Sequence, residues 1–207
     1  MHAIPLSLDD FLQPARVALV MWDMQKGLAG KAPDFAAIVA NARKLIAQAD
    51  RLHIPVIWSR HIAPPFEMTV GPFMLWLMKK QKVDHPSKLK PAMQRGMEET
   101  DYIDGFGPSD HHTILEKSQP SFFVDTPLAT RLKVMNRDTI VIGGVATDIG
   151  VEFTCRHAAS LGIYSVAVED ASGAYTHEAH ERSMTFLRNW TTPVVKTDEI
   201  CTIWQKH

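Results

Sequence analysis

The chain has 207 residues and carries 22 lysine and arginine residues against 23 aspartate and glutamate residues, which gives a formal net charge of −1 at pH 7. This length predicts one domain, residues 1–207, and the balanced charge excludes the strongly basic surface of a nucleic-acid or anionic-membrane binder. The charge balance leaves a small molecule or a protein as the expected partner, and the site residues described below favour a small-molecule substrate.

Two further features bear on the compartment. The segment that begins Met1-His2-Ala3 lacks the basic and apolar regions of a secretion signal, and no apolar run approaches the roughly 18 residues of a membrane span. Cys155 and Cys201 share no metal-binding or redox spacing. We expect a cytoplasmic protein whose cysteines are reduced, with Cys155 packed in the core.

The first half of the chain begins with a β-α-β pattern. Residues 16–23 form an apolar run that ends in Asp23, which is typical of a buried strand. Residues 34–52 place apolar side chains at a helical period. Residues 54–58 predict a second strand, with Pro55 near its start, where a missing N–H is tolerated.

The second half repeats this alternation. Strands are predicted at 113–116, 139–143, 164–168 and 194–196, and helices at 126–136, 147–161, 176–190 and 197–204. Thr126 and Pro127 open the first of these helices as N-cap and first helical residue, and Gly162 stops the second. Six strands that alternate with helices predict an α/β fold with a mostly parallel sheet covered on both faces.

One long segment interrupts the alternation. Residues 62–112 contain Pro64-Pro65, Gly71-Pro72 and the apolar run 73–78. A connection of this length within one domain is usually a lid or a binding loop. The segment is therefore a predicted lid or subunit interface, and its apolar side chains fill the core, an interface or the wall of a substrate site.

The glycine-rich turn after the strand at 139–143 predicts the ligand site. In open α/β sheets, ligands bind beyond the carboxyl ends of the strands, where helix amides point into the crevice. Gly150 lies where this turn becomes a helix, so a side chain there would project toward a substrate. Glycine has no side chain to project there.

Three blocks of sequence resemble the isochorismatase-like (cysteine hydrolase) superfamily. They are residues 18–25, which contain Asp23; residues 114–128, which contain Lys117; and residues 143–152, which contain Gly150. The resemblance spans nearly the whole chain. It implies a three-layer Rossmann-like fold with a six-stranded sheet of order 3-2-1-4-5-6, and assembly as a homodimer or homotetramer.

The resemblance also assigns catalytic positions. Members mostly use an aspartate, a lysine and a cysteine, and these positions match Asp23, Lys117 and Gly150. A carboxylate can accept a thiol proton while an adjacent ammonium stabilises the anions. The family's cis peptide matches Val145–Ala146, a turn expected to aim backbone amides at a developing oxyanion.

The missing thiol leaves three hypotheses. Isochorismatases of the superfamily resemble this chain in having glycine at that position, and their enol-ether substrate requires a proton and water rather than a nucleophile. Asp23 would then act as acid and base, with Lys117 as its charge partner. The second hypothesis is hydrolysis of an amide or another C–N bond by water that Asp23 activates. The third is a non-catalytic relative that binds a metabolite or a protein.

The predicted strand ends and the resembling blocks also indicate candidate substrate-binding residues. Arg60 and His61, directly after the second strand, could bind a carboxylate, and Lys26 and Arg95 are weaker candidates. Thr147 begins the helix beside the turn. Phe122 and Phe123 lie where the family forms an aromatic wall, and one of the two is expected to face the core. Trp22 is expected to point away from Asp23 into the core if its strand is regular.

No metal or cofactor is expected. Nicotinamidase-like members bind a divalent metal through an Asp-x-His pair after the second strand, and the matching stretch here is Ser59-Arg60-His61, with serine in place of the carboxylate. His85, His111 and His112 could assist in principle, but scattered histidines seldom converge. His177 and His180 are expected to be solvated or to lie behind the site.

Overall fold

The computed structural model describes residues 3–207 and has the predicted α/β architecture. Six parallel strands form one sheet of order β3-β2-β1-β4-β5-β6. Their bounds are β1 Val17–Trp22, β2 Val56–His61, β3 Thr113–Lys117, β4 Thr139–Val145, β5 Tyr164–Gly173 and β6 Val194–Val195. The strand order expected from the family resemblance is thus confirmed.

Seven α-helices accompany the sheet in the described part of the chain. They are α1 Leu8–Phe11, α2 Phe35–Arg51, α3 Gly71–Gln81, α4 Leu128–Val134, α5 Glu152–Ser160, α6 His177–Arg188 and α7 Thr197–Trp204. Among residues 3–207, no helix has both the length and the apolar character needed to cross a bilayer.

The sheet divides the core into two apolar layers. Leu19 and Met21 of β1 point to one face and pack with Leu45 of α2 and Trp204 of α7. Ala18, Val20 and Trp22 point to the other face and join Phe122 and Cys155. All six residues of β1 are buried. This two-sided burial explains why the strand reads as a continuous apolar run rather than an alternating one.

Several boundaries differ from the predicted ones. Pro127 occupies the N-cap of α4 rather than the first helical position, because the Thr126 hydroxyl already accepts the Leu128 amide at 3.3 Å. Residues Thr147–Val151 form a single π-helical turn before α5. Strand β5 runs five residues past its predicted end at 168, after a register shift opposite Gly144. Each difference lies near the carboxyl edge of the sheet or at a helix start.

The long connection 62–112 is built mostly from short turns around α3. Its 3₁₀ turns are Phe66–Met68, Pro86–Lys88 and Glu98–Thr100. None of the residues of α3 is fully buried. The Phe73 and Trp76 rings stack with centroids 5.0 Å apart and line the cavity described below. A lid or interface role for this segment stays a prediction.

Candidate active site

A buried ion pair joins the carboxyl ends of β1 and β3. Lys117, the last residue of β3, donates from Nζ to Asp23 Oδ2 at 2.7 Å, and each side chain is 1% exposed. Lys117 Nζ also donates to the Gln119 carbonyl at 3.2 Å. Because β2 lies between these two strands, the pair forms directly above its end. The fold therefore brings together the two residues predicted to be catalytic.

Ser59 of β2 fixes the carboxylate of this pair. Its Oγ accepts the Asp23 amide at 2.8 Å and donates a short hydrogen bond to Asp23 Oδ1. Asp23 has a φ of 46°, in the left-handed region that short polar residues tolerate best. The sequence motif assigned Ser59 only the place of a missing metal ligand. In the structure, both Asp23 oxygens accept hydrogen bonds, one from Ser59 and one from Lys117.

Burial and the partner carboxylate shift the pKa of Lys117 in opposite directions. Desolvation lowers the pKa of Lys117, while the Asp23 carboxylate opposes that shift. Burial therefore weakens the hold of Nζ on its proton, and the neighbouring carboxylate restores part of that hold. The 2.7 Å hydrogen bond places Nζ and Oδ2 close enough for a proton to pass between them.

Trp22 occupies the space beside Gly150. A Cβ added at Gly150 would lie 1.8 Å from Trp22 Cζ2 and 2.0 Å from Cη2. The indole is 4% exposed, and Lys117 Nζ lies over its ring at 3.8 Å from the centroid. Trp22 belongs to the core, as predicted, but it does not point away from the site. Since Asp23 has left the extended conformation, strand alternation no longer separates the two side chains.

The turn before α5 contains the expected cis peptide, between Val145 and Ala146. The Ala146 carbonyl accepts the Gly150 amide at 2.9 Å and the Ile149 and Val151 amides at 3.4 Å. These three amides are thus bonded within the turn. The predicted amide-lined cradle does not include them, although Val145 and Ala146 do line the cavity.

A cavity of about 510 Å³ opens above the ion pair. Its wall is largely apolar, and the aromatic contributors are Trp22, Phe66, Phe73, Trp76 and Tyr175. Four lysines and two acids line it: Lys31, Lys80, Lys90, Lys117, Asp23 and Glu99. This lining combines a large apolar surface with an excess of positive charge.

Lys80 links α3 to the body of the protein. Its Nζ lies 5.5 Å from the centroid of the Trp76 ring and 5.4 Å from that of Tyr175. Tyr175 follows β5 and lies in an environment whose low polarity raises its pKa to about 12. Two cation–π contacts thus hold the amine at the cavity wall.

His61 lines the cavity beside the ion pair, as expected of a substrate-binding residue. Desolvation, aided by the Lys117 ammonium, lowers its pKa to about 4. Gln25 holds its backbone: Oε1 accepts the His61 amide at 2.6 Å, and Nε2 donates to the His61 carbonyl at 3.0 Å. Gln25 was the last residue of the first resembling block, but no role was predicted for it. The imidazole is neutral at pH 7.

Other predicted substrate contacts lie outside the cavity. Arg60 Nε donates to the Thr100 carbonyl at 3.1 Å, and the guanidinium pairs with Asp101 at 3.4 Å, because successive residues of β2 point to opposite faces. The weaker candidates are also paired elsewhere, Lys26 with Glu98 and Asp104, and Arg95 with Glu116. Lysines line the cavity, whereas Arg60, which was expected to line it, does not.

The aromatic and hydroxyl candidates are also corrected. Phe122 and Phe123 are 0% and 8% exposed and both pack in the core around α4 and α5, so neither lines the cavity. The aromatic wall comes instead from the connection 62–112 and from Trp22 and Tyr175. Thr147 is buried, and its Oγ1 bonds to His180 Nδ1 at 2.9 Å rather than facing a substrate.

Two groups of potential metal ligands occur among residues 3–207, Asp50–His111–His112 and Glu169–His180–Glu181. None of their members lines the cavity. His112 Nδ1 accepts the Trp58 indole N–H at 3.1 Å and the Ser109 amide at 3.0 Å, while Nε2 faces Asp50 at 3.0 Å. Two donors thus occupy Nδ1, and the remaining nitrogen of the ring, Nε2, already pairs with Asp50.

The parallel sheet, with a buried acid–lysine pair at its carboxyl edge and a cavity above it, has the arrangement in which open α/β sheets place their ligand sites. Residues 17–199 match the model of the isochorismatase domain, so the chain belongs to the isochorismatase family of hydrolases.

Known relatives cover nearly the whole chain. The isochorismatase family protein YecD of Escherichia coli O157:H7 is 30% identical over 197 residues, covering 91% of this chain and 96% of its own length. Phenazine biosynthesis protein PhzD of Pseudomonas fluorescens is 25% identical over 191 residues, with 91% and 86% covered. A cysteine hydrolase structure from Pseudomonas syringae pv. phaseolicola 1448A superposes with a TM-score of 0.82 at 22% identity, covering 94% of both chains.

Proposed function

We propose that this protein hydrolyses a small anionic metabolite without forming a covalent bond to the enzyme. The observation that carries the proposal is the buried Asp23–Lys117 pair at the base of a cavity where Trp22, and no nucleophile, fills the space next to Gly150. Loss of an attacking side chain typically lowers the rate of covalent catalysis by about 10⁶. The reaction must therefore proceed through proton transfer and water.

The lining of the cavity supports an anionic substrate with an apolar body. Lys31, Lys80 and Lys90 can bind carboxylates, whereas among the described residues the acids that line the cavity are Glu99 and Asp23. Isochorismate carries two carboxylates on and beside a ring, and the family's name makes it the first candidate to test. The substrate carboxylates are assigned to these lysines rather than to Arg60.

The proposed mechanism uses the shared proton of the pair. The proton passes from Lys117 Nζ through Asp23 Oδ2 to the vinyl carbon of an enol ether, which generates an oxocarbenium ion. The water that adds to this cation gives a proton to Asp23, which returns it to Lys117. The resulting hemiketal breaks down to a ketone and an alcohol as its hydroxyl proton passes to the leaving oxygen. The lowered pKa of Lys117 makes the first transfer easier. Ser59 keeps Asp23 oriented throughout the cycle.

The test is an assay of pyruvate release from isochorismate by the wild-type protein, followed by two variants. Asp23→Asn should keep the fold and reduce the rate at least about 10³-fold, because the general acid is lost. Lys80→Met should raise KM by about 5-fold with little change in kcat, because a carboxylate contact is lost. Lys79→Met, on the same helix but outside the cavity, is the matched control.

An inactive wild-type protein would contradict the enol-ether proposal. Turnover of amide or ureido substrates that also depends on Asp23 would then favour hydrolysis by directly activated water. Binding of isochorismate without turnover of any substrate would favour a non-catalytic relative. Cytoplasmic location and a homodimeric or homotetrameric assembly remain expectations that fractionation and light scattering can check.

A further inference from the structure

Trp22 and Gly150 compete for one volume. The six-membered ring of the indole overlaps the position of a Gly150 Cβ, with contacts of 1.8, 2.0 and 2.1 Å to Cζ2, Cη2 and Cε2. Such contacts are far inside van der Waals separation, so any side chain at position 150 requires the indole to move. The indole cannot move freely, because it is 4% exposed and packed within the apolar layer around α5.

The same ring contacts the reactive pair. Lys117 Nζ lies 3.8 Å from the ring centroid, and Asp23 follows Trp22 directly in the chain. The indole therefore occupies the position of a side chain at Gly150 and also contacts the ammonium beside the acid. Its Nε1 has no hydrogen-bond partner among the described residues, so polar bonding does not explain its placement.

We propose that Trp22 determines the reaction class of this site: its indole takes the volume of a side chain at position 150, and the Asp23–Lys117 pair is left to act on water and substrate. This inference rests on the proposed function in treating that pair as the reactive one. Its experiments need no substrate, so they can fail while the isochorismate assay succeeds, or the reverse.

The first experiment is a double-mutant cycle in thermal stability. Gly150→Ala alone should lower Tm by about 5 to 10 °C, because the added methyl overpacks the ring. In a Trp22→Ala background the same substitution should change Tm by less than about 2 °C. Gly30→Ala is the control, since a Cβ at that exposed glycine meets nothing within 4 Å. Equal shifts in the two backgrounds would overturn the proposal.

The second experiment installs a thiol and measures its alkylation by iodoacetamide, located by peptide mapping. The thiolate sulfur displaces iodide and forms a C–S bond, while the thiol proton passes to Asp23 or to solvent. The double variant Trp22→Ala/Gly150→Cys should react at position 150 at least about 10-fold faster than Gly150→Cys alone, where the ring covers the sulfur. The wild type is the background, because burial raises the pKa of both native cysteines.

A third variant distinguishes a thiol that the site activates from a thiol that is only accessible. Adding Lys117→Met to the double variant should slow alkylation by about 10-fold at pH 7, because the ammonium that favours the thiolate is gone. Gly30→Cys gives the rate of an ordinary exposed thiol. If Gly150→Cys alone reacts as fast as the double variant, or if Lys117→Met changes nothing, the proposal is wrong. Should the cysteine variants fail to fold, the alanine cycle decides alone.

Discussion

Two polar clusters in this molecule, one buried and one partly buried, each contain a tryptophan, a carboxylate and a nitrogen base, yet they differ in how fully their groups are bonded. At the amino-terminal side of the sheet, Trp58 Nε1 donates to His112, and His112 donates to Asp50. At the carboxyl edge, Trp22 Nε1 has no hydrogen-bond partner within residues 3–207, and burial lowers the pKa of Lys117. The first cluster is saturated, whereas the second retains an unpaired donor and a destabilised charge.

The location of each cluster agrees with this difference. The cluster of Trp58, His112 and Asp50 lies outside the cavity above the ion pair, and a satisfied polar network stabilises one conformation. Trp22, Asp23 and Lys117 all line the cavity. Unfavourable burial of ionisable groups beside an open space is typical of sites that bind or transform a ligand. The difference agrees with a structural role for the first cluster and with the reactive role that we propose for the second.

The largest expected effect comes from removing the cation of the reactive cluster. Lys117→Met should lower the free energy of unfolding by about 3 to 5 kcal/mol, because Asp23 is left as an uncompensated buried charge. Asp23→Asn/Lys117→Met should recover most of that stability while staying inactive. Urea unfolding together with the isochorismate assay measures both. A double variant as unstable as Lys117→Met would show that the pair is mainly a structural support.

A smaller effect is expected in the saturated cluster. His112→Phe should lower the free energy of unfolding by about 2 to 3 kcal/mol, because the Trp58 indole and the Ser109 amide both lose their acceptor. His111→Phe, at a side chain 66% exposed, should change it by under about 0.5 kcal/mol. Activity per folded molecule should be unchanged in both. A drop in kcat for folded His112→Phe would contradict a purely structural role for this cluster.

The smallest effect concerns pH. The pKa of His61 is about 4 in the folded chain, whereas the pKa of an imidazole in the unfolded chain is about 6.5. The unfolded state therefore binds the proton first as pH falls. The stabilising contribution is complete above about pH 6.5 and is lost as pH falls toward 4, by about 1.4 kcal/mol at pH 5.5.

The check is a series of urea unfolding curves between pH 4.5 and 7, values that bracket most of that window. His61→Asn should flatten the dependence relative to the wild type, and His53→Asn, at an exposed histidine, should leave it unchanged. Equal slopes for the wild type and His61→Asn would mean that His61 does not lie in a desolvated site.

Much of the fold could be predicted because its signals are local. The apolar run before Asp23, the helical period of α2 and the capping threonine of α6 each depend on neighbours within a few residues. The site could be predicted only where a motif marks a strand end, as for Asp23, Lys117 and the 145–146 turn. Arg60, Phe122, Phe123 and Thr147 lie near those motifs in sequence, but strand alternation and core packing turn them away.

The sequence by itself determined the order of strands and helices, the acid and lysine at two strand ends, and the absence of a side chain at position 150. Only the tertiary structure determined which side chain fills the volume beside Gly150. The positive φ of Asp23 and the packing of α5 against β1 bring the Trp22 indole onto Gly150 and Lys117. A local pattern records which residues a strand ends with, but the volume beside a glycine is shared by distant segments and exists only once they have packed together.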